Sequence, residues 1–249
     1  MINIDSDSQL NNLAANLAHV RSRIAQAAQS AGRSPDEITL IAVSKTKPLE
    51  LVKLAYTLGI KDFGENRVQE AQQKIAGFQA QGLHWHMVGH VQTNKASKVV
   101  SLFDCIQSVD SLRLAQELSL QATRQGKRRV ILLEVNVAGE KSKAGVSLDN
   151  ASELARQIVS LTGLEVQGLM TVAPLVANPE EVRPIFRALR TLRERLQEEL
   201  PTSQWEHLSM GMTDDYTVAI EEGATIVRIG RAIFGERELK QAKNEGNEP

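Results

Sequence analysis

The chain of 249 residues has little of several things that would narrow its function quickly. It has one cysteine, Cys105, so no internal disulfide and no thiolate-rich metal site can form; a reducing, cytoplasmic setting fits. It lacks an excess of either charge. The formal net charge is −1, with lysines and arginines scattered along the chain, which is not the footprint of a nucleic-acid binder. No apolar run approaches the roughly 20 residues of a membrane span. The first residues, Met1 to Asp5, lack a basic stretch followed by an apolar one, so no signal peptide is expected. No linker-like segment divides the chain, so one domain over residues 1–249 is expected, with an ordered core at about 10–235 and a frayed tail at 236–249.

What is present is an ordinary globular composition, 42% hydrophobic and 24% charged, able to bury a sizeable core. Leu10, Leu13, Leu17, Val20, Ile24 and Ala27 are spaced 3, 4, 3, 4 and 3, which predicts a one-faced helix ending near Gly32 and packed on its own domain. His19 lies among these residues and reads as structural. The next stretch, residues 38–43, is apolar or β-branched throughout and reads as a strand buried on both faces.

Seven more strands follow in the pattern, at residues 60–64, 83–89, 105–109, 129–137, 164–170, 206–208 and 225–229. Between them lie predicted helices at 48–58, from 67 to about 79, at about 94–102, after Asp110 as cap, and at 149–161, 179–199 and 214–222. Eight strands alternating with helices match a single closed (β/α)8 TIM-type barrel with an extra N-terminal helix. An open, doubly wound sheet is the alternative.

At the end of the first strand comes Ser44-Lys45-Thr46-Lys47-Pro48. A lysine cannot sit unpaired in a dry core, but at the C-terminal end of a barrel strand it stands where ligands bind. There, partly desolvated, it can attack an aldehyde and form a Schiff base. A solvated lysine ahead of a helix is the plainer alternative. The loops after the seventh and eighth strands, Ser209-Met210-Gly211-Met212 and Gly230-Arg231-Ala232-Ile233, stand where barrels bind phosphate. Gly211 and Gly230 would admit an anion to backbone N–H groups, Ser209 could donate from its hydroxyl, and Arg231 could add charge. Arg228 interrupts the apolar run of the last strand. Either it reaches solvent at the strand end, or it points inward and meets a ligand's ring nitrogen. An aldehyde-binding lysine, a phosphate cradle and a ring-nitrogen partner together describe pyridoxal 5'-phosphate.

Six ordered motifs then stand out. They are Ala42 to Pro48; Phe63-Gly64-Glu65-Asn66; Trp85 to Gly89 with Gln92 and Asn94-Lys95; Ser142 to Val146; Leu208 to Met212 with Asp214; and Val227-Arg228-Ile229-Gly230. Through them the sequence resembles the pyridoxal phosphate homeostasis protein family over about residues 10–235. The resemblance implies a barrel similar to the N-terminal domain of alanine racemase, with Lys45 holding the cofactor and Arg228 facing the pyridine nitrogen. It places Ser209, Gly211, Gly230 and Arg231 around the phosphate and Asn66 beside the ring. Two positions depart from the family pattern: Arg67 stands where tyrosine is frequent, and Arg231 where threonine is frequent.

The resemblance also implies a non-catalytic role in cofactor buffering or delivery, since an arginine at the ring nitrogen weakens the electron sink. The chain is expected to have no room for the β-domain that supplies a second base in alanine racemases. A low-activity fold-type III racemase is the alternative, and a regulatory module read by a partner is a third reading. Apo-enzymes that use the cofactor, or a regulatory protein, are the expected partners, with no nucleic acid, no membrane and a monomeric state. His84 and His86 alternate onto one strand face without an evident third metal ligand. His90 reads as a residue behind the site. Glu134 and Asn136 are read either as interior polar groups near the cofactor or as paired with each other. Neither Tyr56 nor Tyr216 carries the motif of a catalytic base. Lys143, on the loop after the fifth strand, could serve as a second acceptor of the aldehyde or stand simply solvated.

Overall fold

A computed structural model describes residues 4–140 and 143–236. The expected alternation is present and closes on itself. The strands are β1 (Thr39–Val43), β2 (Asp62–Glu65), β3 (His84–Met87), β4 (Cys105–Val109), β5 (Arg129–Asn136), β6 (Val146–Ser147), β7 (Leu164–Met170), β8 (His207–Ser209) and β9 (Ile226–Ile229). β1 pairs in parallel with both β2 and β9, and β4 pairs with β5. Those contacts complete an eight-stranded TIM-type barrel and exclude the open sheet. β6, two residues long, hangs on the end of β5 and takes no part in the ring; it is too short to leave a pattern in the sequence.

The helices are α1 (Ile4–Ser30), α2 (Leu49–Thr57), α3 (Val68–Gly77), α4 (Ala96–Leu102), α5 (Leu112–Arg124), α6 (Ala151–Ile158), α7 (Arg183–Glu199), α8 (Tyr216–Glu221) and α9 (Arg231–Phe234). None among the described residues is long and apolar enough to cross a membrane. The predicted stripe of α1 is buried from Leu13 to Ala27. Arg33, just beyond that helix, donates to the carbonyls of Ile220 and Ala224, and Asn16 donates to that of Ile233, so α1 is fastened to the last two units of the barrel. Several helix starts differ from expectation, α5 and α7 most clearly. Ser111, not Asp110, caps α5, because its backbone is extended and its hydroxyl accepts from the Leu114 amide. Residues Pro179–Val182 form a 3-10 turn capped by Asn178, and α7 begins only after it.

Strand alternation divides the apolar side chains into two cores. One lies between ring and helices. The other is Ile41, Cys105, Leu132, Met170 and Ile226 inside the ring, with Val43, Val130 and Val172 against them. The barrel is thus a packed core rather than a pore. Burial pushes the Cys105 thiol up to about 12, so it is held as an unreactive thiol.

Candidate functional site

Lys45 follows β1 at the C-terminal end of the ring and is half-buried. Its turn is built with unusual care. The Ser44 amide donates to the Gly64 carbonyl at 3.0 Å, and the Ser44 hydroxyl donates to Glu65 Oε1 at 2.6 Å. Thr46 has φ +65°, the one positive value outside glycine among the described residues, and that conformation is unfavourable for a β-branched side chain. Its amide donates to Glu70 Oε1. Lys74 stands beneath, with its ammonium donating to the Ser44 carbonyl at 2.6 Å, to Glu65 at 2.7 Å and to Glu70 at 2.8 Å. Burial raises the Glu65 carboxyl, against the hydrogen bonds from Lys74 and Ser44. Sequence reasoning missed this support. The signal was available: Val68, Ala71 and Lys74 are spaced along one face of α3, and all three are buried.

β9 and β8 are the next strands round the ring from β1, so the loops after them adjoin the Lys45 turn. Gly230 passes so close to β1 that a Cβ there would lie 3.1 Å from the Val43 carbonyl oxygen. Gly211 has φ +93°, and a Cβ on it would fall 2.7 Å from that of Ala219 and 2.8 Å from the Tyr216 Cα. Both loops therefore bring bare backbone to the rim. Arg231 is exposed, and its guanidinium already meets the Asp214 carboxylate, with Glu236 at 3.4 Å. Asn66 follows β2 at the same end and is half-buried.

Two expected residues belong to the interior. Arg228 is 5% exposed and lies in register with Ile41 of β1; it does not reach solvent. It donates to Ser209 Oγ at 2.7 Å and to the Thr171 carbonyl at 2.8 Å. Burial pulls its pKa down to about 10, with Glu134 and Asp215 acting the other way. Ser209 is not brought to the glycine loops. It ends β8 with its side chain turned inward, where it accepts from Arg228 and donates to Gln107 at 2.6 Å.

Glu134 faces the same interior. Burial pushes its carboxyl up to about 7, which Asp110 reinforces and Arg228 opposes, and its Oε2 has no hydrogen-bond partner among the described residues. Asn136 does not pair with it. Its amide holds the carbonyls of Glu140 and Lys143, closing the base of that loop. His84 is exposed, and His86 is engaged by Asp62 and Gln107. No cluster of three metal-ligating side chains occurs among the described residues. His90 is exposed at the rim, 3.6 Å from Asp110. Tyr56 donates to the Gln81 carbonyl, and Tyr216 is buried with Arg23 over its ring.

The donor set suits a flat, anionic carbonyl compound. Lysine and two glycine loops share one rim, a buried cation lies below, and a carboxyl oxygen without a partner among the described residues faces the same interior. The model of the family "Alanine racemase, N-terminal domain" matches residues 10–238. A pyridoxal phosphate homeostasis protein of Aquifex aeolicus is 45% identical over 89% of this chain and 96% of its own. PipY of Synechococcus elongatus, solved with pyridoxal phosphate bound, is 37% identical and superposes with a TM-score of 0.80 over 90% of this chain and 100% of its own. Alanine racemase of Clostridium difficile, at 15% identity and a TM-score of 0.72 over 92% of this chain and 58% of its own, shares the fold.

Proposed function

The chain belongs to the alanine racemase N-terminal domain family and, within it, to the pyridoxal phosphate homeostasis proteins, and from that premise we propose that it binds pyridoxal 5'-phosphate and buffers or delivers it. The observation that carries the reading is the Lys45 turn, held from beneath by Lys74 and facing the Arg228 strand. Lys45 would hold the cofactor covalently. Gly211 and Gly230 would offer backbone N–H groups to the phosphate, with Arg231 beside them, and Asn66 would flank the ring. Arg228 would meet the pyridine nitrogen, while Ser209 acts one step back by holding Arg228. Residues 10–235 would form this one unit. Its partners would be apo-enzymes or a regulatory protein, met by a monomer in the cytoplasm.

When bound, pyridoxal phosphate supplies an aldehyde that captures amines and a ring that withdraws electrons. Arg228 limits the second property, because a guanidinium gives up no proton to the ring nitrogen. Proton transfer at an amino acid's α-carbon also needs placed bases. Both tyrosines of the chain are engaged elsewhere, which disfavours the racemase reading.

Borohydride treatment followed by peptide mapping should place a pyridoxyl group on Lys45, and Lys45→Ala should remove the yellow colour; label on another lysine alone would overturn the assignment. Loaded protein should exchange the α-proton of alanine or serine barely above free cofactor, whereas an enzyme turns over at about 1–10³ per second. Deuterium wash-in at enzymatic rates would replace the delivery reading with the racemase one. Lys143, half-buried beside the closed loop base, is proposed as a second acceptor during hand-over; equal transfer rates to an apo-enzyme from wild type and Lys143→Ala would remove it.

A further inference from the structure

A line of buried hydrogen bonds crosses the inside of the barrel, and the functional reading employs only its first two members, Arg228 and Ser209. Arg228 Nη1 lies 2.7 Å from Ser209 Oγ, and that oxygen lies 2.6 Å from Gln107 Oε1. Gln107 Nε2 lies 3.2 Å from His86 Nδ1, and His86 Nε2 lies 2.9 Å from Asp62 Oδ1. The residues come from β9, β8, β4, β3 and β2. Ser209 and Gln107 are wholly buried, and His86 is 8% exposed.

The direction of each bond follows from one end. A guanidinium only donates, so Ser209 must accept from Arg228. Its single proton then goes to the Gln107 carbonyl oxygen. This fixes the amide, whose Nε2 can only donate, and so His86 must present a lone pair at Nδ1. The imidazole proton is left on Nε2, where the Asp62 carboxylate accepts it. The line is polarised from cation to anion, and each member is satisfied in that one arrangement. A proton on Nδ1 would set two donors face to face at Gln107.

Arg228 has a second anchor in the Thr171 carbonyl, but one carbonyl leaves the guanidinium free to turn about that bond. The Ser209 contact removes the freedom only while the Ser209 hydroxyl is itself directed by Gln107. We propose that Ser209, Gln107 and His86 are positioning residues for Arg228, fixing the orientation of its guanidinium from across the barrel. The proposal rests on the reading that Arg228 meets the cofactor's ring nitrogen.

The cofactor-free chain tests the line by itself. Side-chain ¹⁵N NMR at neutral pH should show His86 as the Nε2–H tautomer, and Gln107→Leu should turn it into a mixture. Titration with pyridoxal phosphate, followed by visible absorption, then compares two variants with wild-type circular dichroism. His86→Asn keeps an acceptor near the Nδ1 position and should bind within about twofold of wild type, whereas His86→Leu should bind about tenfold more weakly with a shifted band. An Nδ1–H or doubly protonated His86 in the free chain would overturn the proposal. So would a His86→Leu protein matching His86→Asn in affinity and band. A wild-type chain that takes up no pyridoxal phosphate would overturn the functional reading and Arg228's task with it, and the tautomer would still report whether the line is oriented.

Discussion

The ammonium of Lys74 lies 2.6 Å from the carbonyl oxygen of Ser44, so a side chain of α3 holds the backbone immediately before Lys45. The same ammonium is the counter-charge of the wholly buried Glu65. Removing one partner of a buried pair typically costs about 3–5 kcal/mol, and protonation of Glu65 softens that. Lys74→Met should therefore lose about 3 kcal/mol in urea unfolding at pH 7, and adding Glu65→Gln should restore most of it. A single variant with the wild-type midpoint would refute the pair's importance.

Thr46 holds a backbone conformation that glycine adopts freely. Thr46→Gly should gain about 0.5–1 kcal/mol of stability while loosening the turn that presents Lys45. Slower fixation of cofactor by borohydride in a more stable protein is the expected pairing. A variant that is less stable and labels at the wild-type rate would show that the strain serves nothing.

Gly211→Ala places a methyl group against Ala219 and Tyr216 in a left-handed conformation. About 2 kcal/mol of stability should go, and the rim should lose its fit to phosphate. Absorbance titrations with pyridoxal phosphate and with pyridoxal check this: affinity for the phosphorylated form should fall further. Equal losses for the two would detach Gly211 from the phosphate.

Burial raises the Glu134 carboxyl from 4.5 to about 7 in the folded chain. The folded state then binds more protons than the unfolded one between those values, so this group's contribution is complete below about pH 4.5 and is lost as pH rises to 7. The loss is up to about 3 kcal/mol. Unfolding free energies measured across that window should fall for wild type and stay flatter for Glu134→Gln. Parallel profiles would show that Glu134 titrates normally.

Much of this was legible in the chain because parallel strands buried on both faces are written as apolar runs. Arg228 announced itself by breaking such a run, and Lys45 by ending one. The partners of Ser209, Arg228 and Gln107, could not be read locally; which way a three-residue strand turns its last side chain is decided by the ring, not by local sequence. Lys74 was passed over since a lysine on a helix ordinarily reaches water. Its burial depends on Glu65, nine positions away and on a different element. Gln107 lies outside the six motifs and His86 stands inside one with nothing local to mark its partner; their connection exists only once β3, β4 and β8 have closed round a common axis.

The apolar plug of Ile41, Cys105, Leu132, Met170 and Ile226 fills the inside of the barrel rather than leaving a passage through it. Whatever is loaded at the Lys45 rim has to be unloaded across that rim. A supplier and a receiver of the cofactor would compete for one threshold and be served in turn, never through a ternary hand-off from opposite ends. Any protein resting on that threshold would stop filling and emptying together, and so lock the content in place, present or absent, for as long as it stayed.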